Sequence, residues 1–156
     1  VRKKSKYRPK GVILDPMAYI KQGFTPIAEH GSALVTMRLR SHSALEALVT
    51  GKANRANIDV LIAAVNMTEA LYRLGVGREY SSEVRAGLEA LRSVGARSME
   101  LGRFVLKSDE MAALNTVMEL HDAQLDVINV QQMERALDLV KSEIRGGRAT
   151  AITEKT

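Results

Sequence analysis

The chain has no cysteine, only two phenylalanines and three prolines, and no apolar run of membrane-spanning length. Without cysteine there are no disulfides, no thiolate metal sites and no cysteine nucleophile. That fits a reducing compartment. The apolar cluster at 60–65 falls far short of the roughly 20 residues that a spanning helix needs, so no membrane partner is expected. Residues 1–11 are polar and basic, with no apolar region behind them, and do not read as a secretory signal. With seven methionines beside so few aromatics, the core is expected to be aliphatic and Met-rich.

Catalytic signatures are missing too. There is no His-Glu-x-x-His pattern and no nucleophile elbow around any serine. Gly75-Val76-Gly77 and Gly146-Gly147 lack the rest of any phosphate-binding loop. Asp109 and Glu110 are paired acids, but they stand where a helix begins and suit its N-terminal dipole. The chain is therefore expected to be non-enzymatic, with no cofactor and no metal.

What is present is charge of one sign in one place. The net charge is +5 over 156 residues. Arg2, Lys3, Lys4, Lys6, Arg8 and Lys10 supply +6 within the first ten residues, with no acid among them. The other 146 residues hold 17 basic and 18 acidic side chains. Local charge density draws a polyanion more than total charge does. Such a segment can neutralise phosphates and release their counterions. Tyr7 can stack on an exposed base, and Arg38 and Arg40 extend the candidate patch. The expected partner is nucleic acid, held nonspecifically through phosphate, or an acidic protein surface; a solubilising tail is the bland alternative. The segment has almost nothing apolar to bury, so alone it is expected to be disordered.

The remainder reads as helices. Asp15-Pro16 marks a helix start running to about Gln22 and ending at Gly23. Phe24, Pro26 and Ile27 follow as an irregular apolar segment folded over the body. Residues 33–40 alternate in their second half, with Met37 and Leu39 opposite Arg38 and Arg40. That pattern fits a short strand, with an extended segment or a helical turn as the alternative. Ser43 and Glu46 have capping-box spacing and predict a short helix over 44–49, ending near Gly51. Asn54 precedes a broad apolar helical pattern over 55–74 that Gly75 and Gly77 stop. Its leading polar residues, Lys52, Asn54, Arg55 and Asn57, read as capping and surface groups before phosphate contacts. Ser81 or Ser82 opens the next helix. It runs to about Glu100, with Gly95 as a point of weakness and Gly102 as its end.

The organising stretch is 108–144. Met111, Leu114, Met118, His121, Leu125 and Ile128 recur at spacings of three and four, and Ala113, Val117, Leu120 and Val127 widen the face. After Ile128 the apolar register slips to Val130, Met133, Leu137, Val140 and Ile144. Asn129 with Gln132 mimics a capping box at the slip, so two helices joined at Asn129 or one kinked helix is expected. The faces at 58–74 and 111–128 either cover each other or leave apolar surface for a second copy.

Of the three histidines, His30, His42 and His121, the last falls on the apolar seam. His121 and Asp122 point about 100 degrees apart on a helix, which argues against a local metal site. A buried histidine with one hydrogen-bond partner is expected.

The stretches Arg-Lys-Lys-Ser-Lys-Tyr-Arg-Pro-Lys at 2–10, Asn-Met-Thr-Glu-Ala-Leu at 66–71 and Met-Glu-Leu-His-Asp-Ala at 118–123 resemble small uncharacterised bacteriophage and prophage proteins in general look. That resemblance implies a nucleic-acid-associated accessory protein or a minor virion component, and assigns no residue. The expected architecture is all-α: a four- or five-helix bundle-like domain over 12–147, an irregular basic arm at 1–11 and a flexible tail at 148–156. The expected function is an accessory or structural protein that binds through the basic arm. The alternative is a homo-oligomeric assembly component whose arm straps a neighbouring subunit. The expected location is the cytoplasm, or a particle assembled inside the cell.

Overall fold

The structure, a computed structural model, describes residues 23–29 and 31–147. The basic arm, the helix start at Asp15-Pro16, His30 and the tail at 148–156 lie outside the described residues. Five helices follow in order: α1 (Gly31–Val49), α2 (Arg55–Arg73), α3 (Ser81–Leu101), α4 (Ser108–Val127) and α5 (Val130–Arg145). Short 3-10 turns precede α1 (Ile27–Glu29) and α3 (Arg78–Tyr80). The chain is all-α, and the described residues contain no strand beyond a single bridge between Pro26 and Asn129. No helix among them is long and apolar enough to cross a membrane.

The alternation at 33–40 does not make a strand. The reason is a longer pattern that overrides it: Leu34, Ser41, Ala44, Leu45 and Leu48 are buried together on one helical face of α1. Leu39 is left largely exposed. Ser43 is accordingly interior to α1 and starts nothing. The helix ends at Val49, and Gly51 follows with φ +74°.

The other starts and stops have local causes. Asn54 and Asn57 cap α2 reciprocally: the Asn54 side chain accepts the Asn57 amide at 3.1 Å, and the Asn57 side chain accepts the Asn54 amide at 2.9 Å. α3 begins at Ser81 without a side-chain cap, and the Ser82 hydroxyl instead donates to Glu83. α3 runs unbroken through Gly95, which is buried, to Gly102. Gly102 takes φ +67°, a left-handed cap that a side chain would strain. Glu110 opens α4 by accepting the Lys107 amide at 2.9 Å.

The long stretch is two helices. Ile128 and Asn129 are extended, and Asn129 and Gln132 form the capping box of α5 at 2.9 Å in both directions. The apolar segment at 24–27 pins this break. The Ile27 amide donates to the Ile128 carbonyl, and the Val130 amide donates to the Thr25 carbonyl, each at 3.0 Å.

The core has two parts that meet in α2 and α4. One joins Leu45, Leu48, Ile58, Leu61, Val65, Leu91, Val94, Leu114, Val117 and Met118, with Phe104 and Leu106 of the α3–α4 link packed against it. The other joins Ile27, Leu34, Leu71, Leu125, Ile128 and Ala136. The broad faces of α2 and α4 thus pack against each other in part, while Met111 and Val127 of the α4 face remain exposed. α5 folds back onto α2.

Candidate functional site

α1 lies across α2 and α4 and presents a different flank to each. On the α4 side, Arg38 is held by acids. Its Nη2 donates to the Asp122 carbonyl at 2.9 Å and to the Asp126 carboxylate, and its Nε lies 3.6 Å from Asp122 Oδ1. Asp122 Oδ2 lies 2.7 Å from His42 Nε2. The Asp122–Asp126 face of α4 is therefore the ion-pairing face. Arg38 is a clamp between α1 and α4. Arg40 projects to the other flank, exposed and without an ion pair among the described residues. Of the sequence's binding candidates, Arg2, Lys3, Lys4, Lys6, Tyr7, Arg8 and Lys10 lie outside the described residues. Asn54 and Asn57 cap α2, and Arg55 pairs with Asp59 at 3.0 Å.

On the α2 side the two helices part, and a cavity of about 770 Å³ opens between them. Its walls are mostly apolar, with Met37 of α1 and Val60, Ala64 and Met67 of α2 among them. Arg40 and Asp59 stand at its exposed edge. Two buried polar side chains reach it from within: Ser41 of α1, 4% exposed, and His121 of α4, 2% exposed.

His121 is turned about 100 degrees from Asp122 around α4, as its spacing predicts, and meets Thr68 of α2 instead. Thr68 is fully buried, and its hydroxyl donates to the Ala64 carbonyl at 3.0 Å. A hydroxyl has one hydrogen to give. At His121 Nδ1, 3.1 Å away, Thr68 Oγ1 must therefore act as acceptor, so Nδ1 carries the proton. Burial holds the His121 pKa down to about 4; Arg38 and His42 push the same way, and only Asp122 opposes. The ring is neutral at physiological pH, and Nε2 presents a bare lone pair. Among the described residues Nε2 has no hydrogen-bond partner, and neither does the Ser41 hydroxyl. Among the described residues, the sealed side-chain atoms that lack a hydrogen bond are Arg38 Nε, Asp122 Oδ1 and Gln124 Oε1. Nε2 and Ser41 Oγ are not among these sealed atoms, and His121 and Ser41 both line the cavity.

Other buried polar groups brace the helices elsewhere. Gln124, one turn beyond His121, donates through Nε2 to the carbonyls of Thr68 at 3.1 Å and Val76 at 3.0 Å, which ties the end of α2 to α4. Arg97 and Glu110 pair across the α3–α4 link, with a contact of 3.0 Å and a second, shorter one. The hydrogen bond from Arg97 holds the Glu110 carboxyl below the usual carboxylate range, against a smaller opposing effect of burial.

The sequence pattern does not single out Thr68, Ser41 or Gln124 as site residues. Ser41 left a signal, since it interrupts an otherwise apolar stripe. Thr68 left none, because its partner is 53 residues away. Among the described residues no group of three or more acids and histidines is placed to hold a metal ion. Comparison of the chain with protein-family models, with curated proteins and with solved structures finds no match.

Proposed function

We propose that this chain is a non-enzymatic binding protein whose basic segment at 2–10 engages nucleic-acid phosphates. The observation that carries the reading is the segregation of charge. Six cations stand without an acid in the first ten residues, whereas residues 23–29 and 31–147 hold 14 basic and 16 acidic side chains. A body with a net charge of −2 adds nothing to phosphate attraction. Its one arginine cluster of interest is reduced further, because Arg38 is neutralised by Asp122 and Asp126. Attraction to a polyanion then rests on the segment, through Arg2, Lys3, Lys4, Lys6, Arg8 and Lys10, with Tyr7 offering a stacking surface and Arg40 the nearest unpaired cation of α1. Contacts of this kind read backbone and not sequence.

Full-length protein and a variant lacking residues 1–10 should be titrated against duplex DNA, single-stranded DNA and RNA over a range of salt, with mass measured by light scattering. Binding that weakens steeply with salt and disappears on deletion, with unchanged mass, is the expected result. Absence of binding at low salt would overturn the reading.

A second reading is favoured by the outer face of α1. Val35 and Leu39, one turn apart, are 63% and 64% exposed there. In that reading the protein is a homo-oligomeric assembly component, such as a virion component of the kind the general resemblance suggests, and the basic segment straps a neighbouring subunit. Dissociation of a discrete multimer on deleting residues 1–10 would select it. Binding to an acidic protein in place of nucleic acid is the remaining outcome of the deletion test.

A further inference from the structure

The cavity between α1 and α2 points to a second, independent site. We infer that it binds a small, uncharged, largely apolar molecule bearing a hydroxyl group, which donates its hydrogen to His121 Nε2.

The cavity volume of about 770 Å³ falls within the range of ligand pockets, roughly 300–1,000 Å³. Apolar walls with a few convergent polar groups are the usual composition of such pockets. The walls here come from Met37, Val60, Ala64 and Met67. A polar atom in such a place is costly unless it finds a partner, on the order of 1–3 kcal/mol for an unmade bond. His121 is 2% exposed and Ser41 4% exposed, yet Nε2 and the Ser41 hydroxyl have no partner among the described residues. A core histidine needs only one satisfied nitrogen, and Thr68 provides that. The second nitrogen opens onto apolar space, where a leucine would pack better, and a ligand donor would satisfy it.

The chemistry of the ligand follows from the tautomer. Thr68 keeps the ring hydrogen on Nδ1, so Nε2 accepts and does not donate. A carboxylate or ketone has nothing to give it. A cation would have to shed its hydration shell in a largely apolar pocket. A neutral hydroxyl meets the requirement, and Ser41 can donate to the same ligand. The ring also lacks the basicity that would suit it to proton abstraction near neutral pH, where a useful general base titrates. Binding, not turnover, is what the geometry serves.

The test uses the full chain labelled with ¹⁵N, with 2-naphthol as the probe and 2-methoxynaphthalene as its donor-less counterpart. The expected result is saturable 2-naphthol binding that moves the His121 Nε2 resonance, with the methoxy compound weaker by roughly tenfold or more. Ala63 lines the cavity from an exposed position, so Ala63→Trp fills the space without disturbing the core. That variant should lose binding. His121→Leu should bind the two compounds equally. No binding of either compound at millimolar concentration would overturn the proposal. So would equal binding by the unaltered protein with the Nε2 resonance unmoved, or binding that survives Ala63→Trp. The ¹⁵N shift and the Ala63 variant decide the matter even where His121→Leu fails to fold.

Discussion

His121 makes the folded chain sensitive to mild acid. Its pKa is held down to about 4 chiefly by burial, against an ordinary value near 6.5 in the unfolded chain. Between those values the unfolded chain takes up a proton that the folded chain refuses. Stability is therefore complete above pH 6.5, falls as the pH drops toward 4, and falls no further from this group below that. The full loss is roughly 3 kcal/mol for a shift of this size. Glu110 acts in a lower window. Its carboxyl is depressed by Arg97, so its contribution is present above the ordinary carboxylate range and is lost as pH falls through the depressed value. Urea unfolding midpoints at closely spaced pH values should decline first between pH 6.5 and 4. In His121→Leu the decline over that interval should flatten, while the Glu110 phase at lower pH remains. An unchanged decline would place the titrating group elsewhere.

At the scale of the elements, α3 and α4 pack closely at Gly87. A Cβ added at Gly87 would sit 2.6 Å from Val117 Cγ1 and 2.8 Å from Val117 Cβ. Val117 is fully buried and β-branched, so it has little room to turn aside. Alanine in a helix interior ordinarily gains about 1 kcal/mol over glycine. Overpacking a close interface costs about 1–3 kcal/mol, and here it should win. Gly87→Ala is expected to lower the urea midpoint, with a net loss of stability of up to about 2 kcal/mol. In a Val117→Ala background the same change should be neutral or stabilising, because the obstruction is gone. A stabilised single variant would mean that the helices separate easily.

The sequence carries this level unevenly, for physical reasons. α2, α3 and α4 are readable because each joins an apolar stripe to a strong stop or cap, such as Asn54, Gly102 or Asn129. Gly87 is not, since nothing local distinguishes a close-packing glycine from a weak point like Gly95. α1 is hard to read because Arg38, Ser41 and His42 interrupt its stripe, and those residues face the α4 acids and the cavity. The polar residues that hide the helix are the ones that build the candidate site. The cavity itself belongs to no segment. It is the gap left where α1 diverges from α2, and only the packed arrangement contains it.

The whole molecule is two core regions on a shared pair of helices, and they are not equally secure. α2 and α4 contribute fully buried side chains to both regions. α5 contributes Ala136 as its only buried residue, and Val130, Met133, Leu139 and Val140 pack against the second region only in part. α5 is also held by the Asn129–Gln132 capping box, by two backbone bonds at its start with the 25–27 segment, and by an ion pair from Arg73 of α2 to Glu143 at 3.5 Å. Elements with few buried contacts open at lower free energy than the core. α5 should therefore open as a unit while α2 and α4 stay closed. In native-state hydrogen exchange its amides, with those of Ile27 and Val130, should show a common and smaller opening free energy than α2 or α4. Removing the cap tests the assignment. Asn129→Ala should cost about 1 kcal/mol, which speeds exchange across α5 about fivefold and leaves the amides of α4 before Gln124 unchanged. If α5 exchanges as slowly as α2, or if the variant accelerates both together, the two regions fold as one cooperative unit, and the break at Asn129 is a bend in the chain and no boundary of stability.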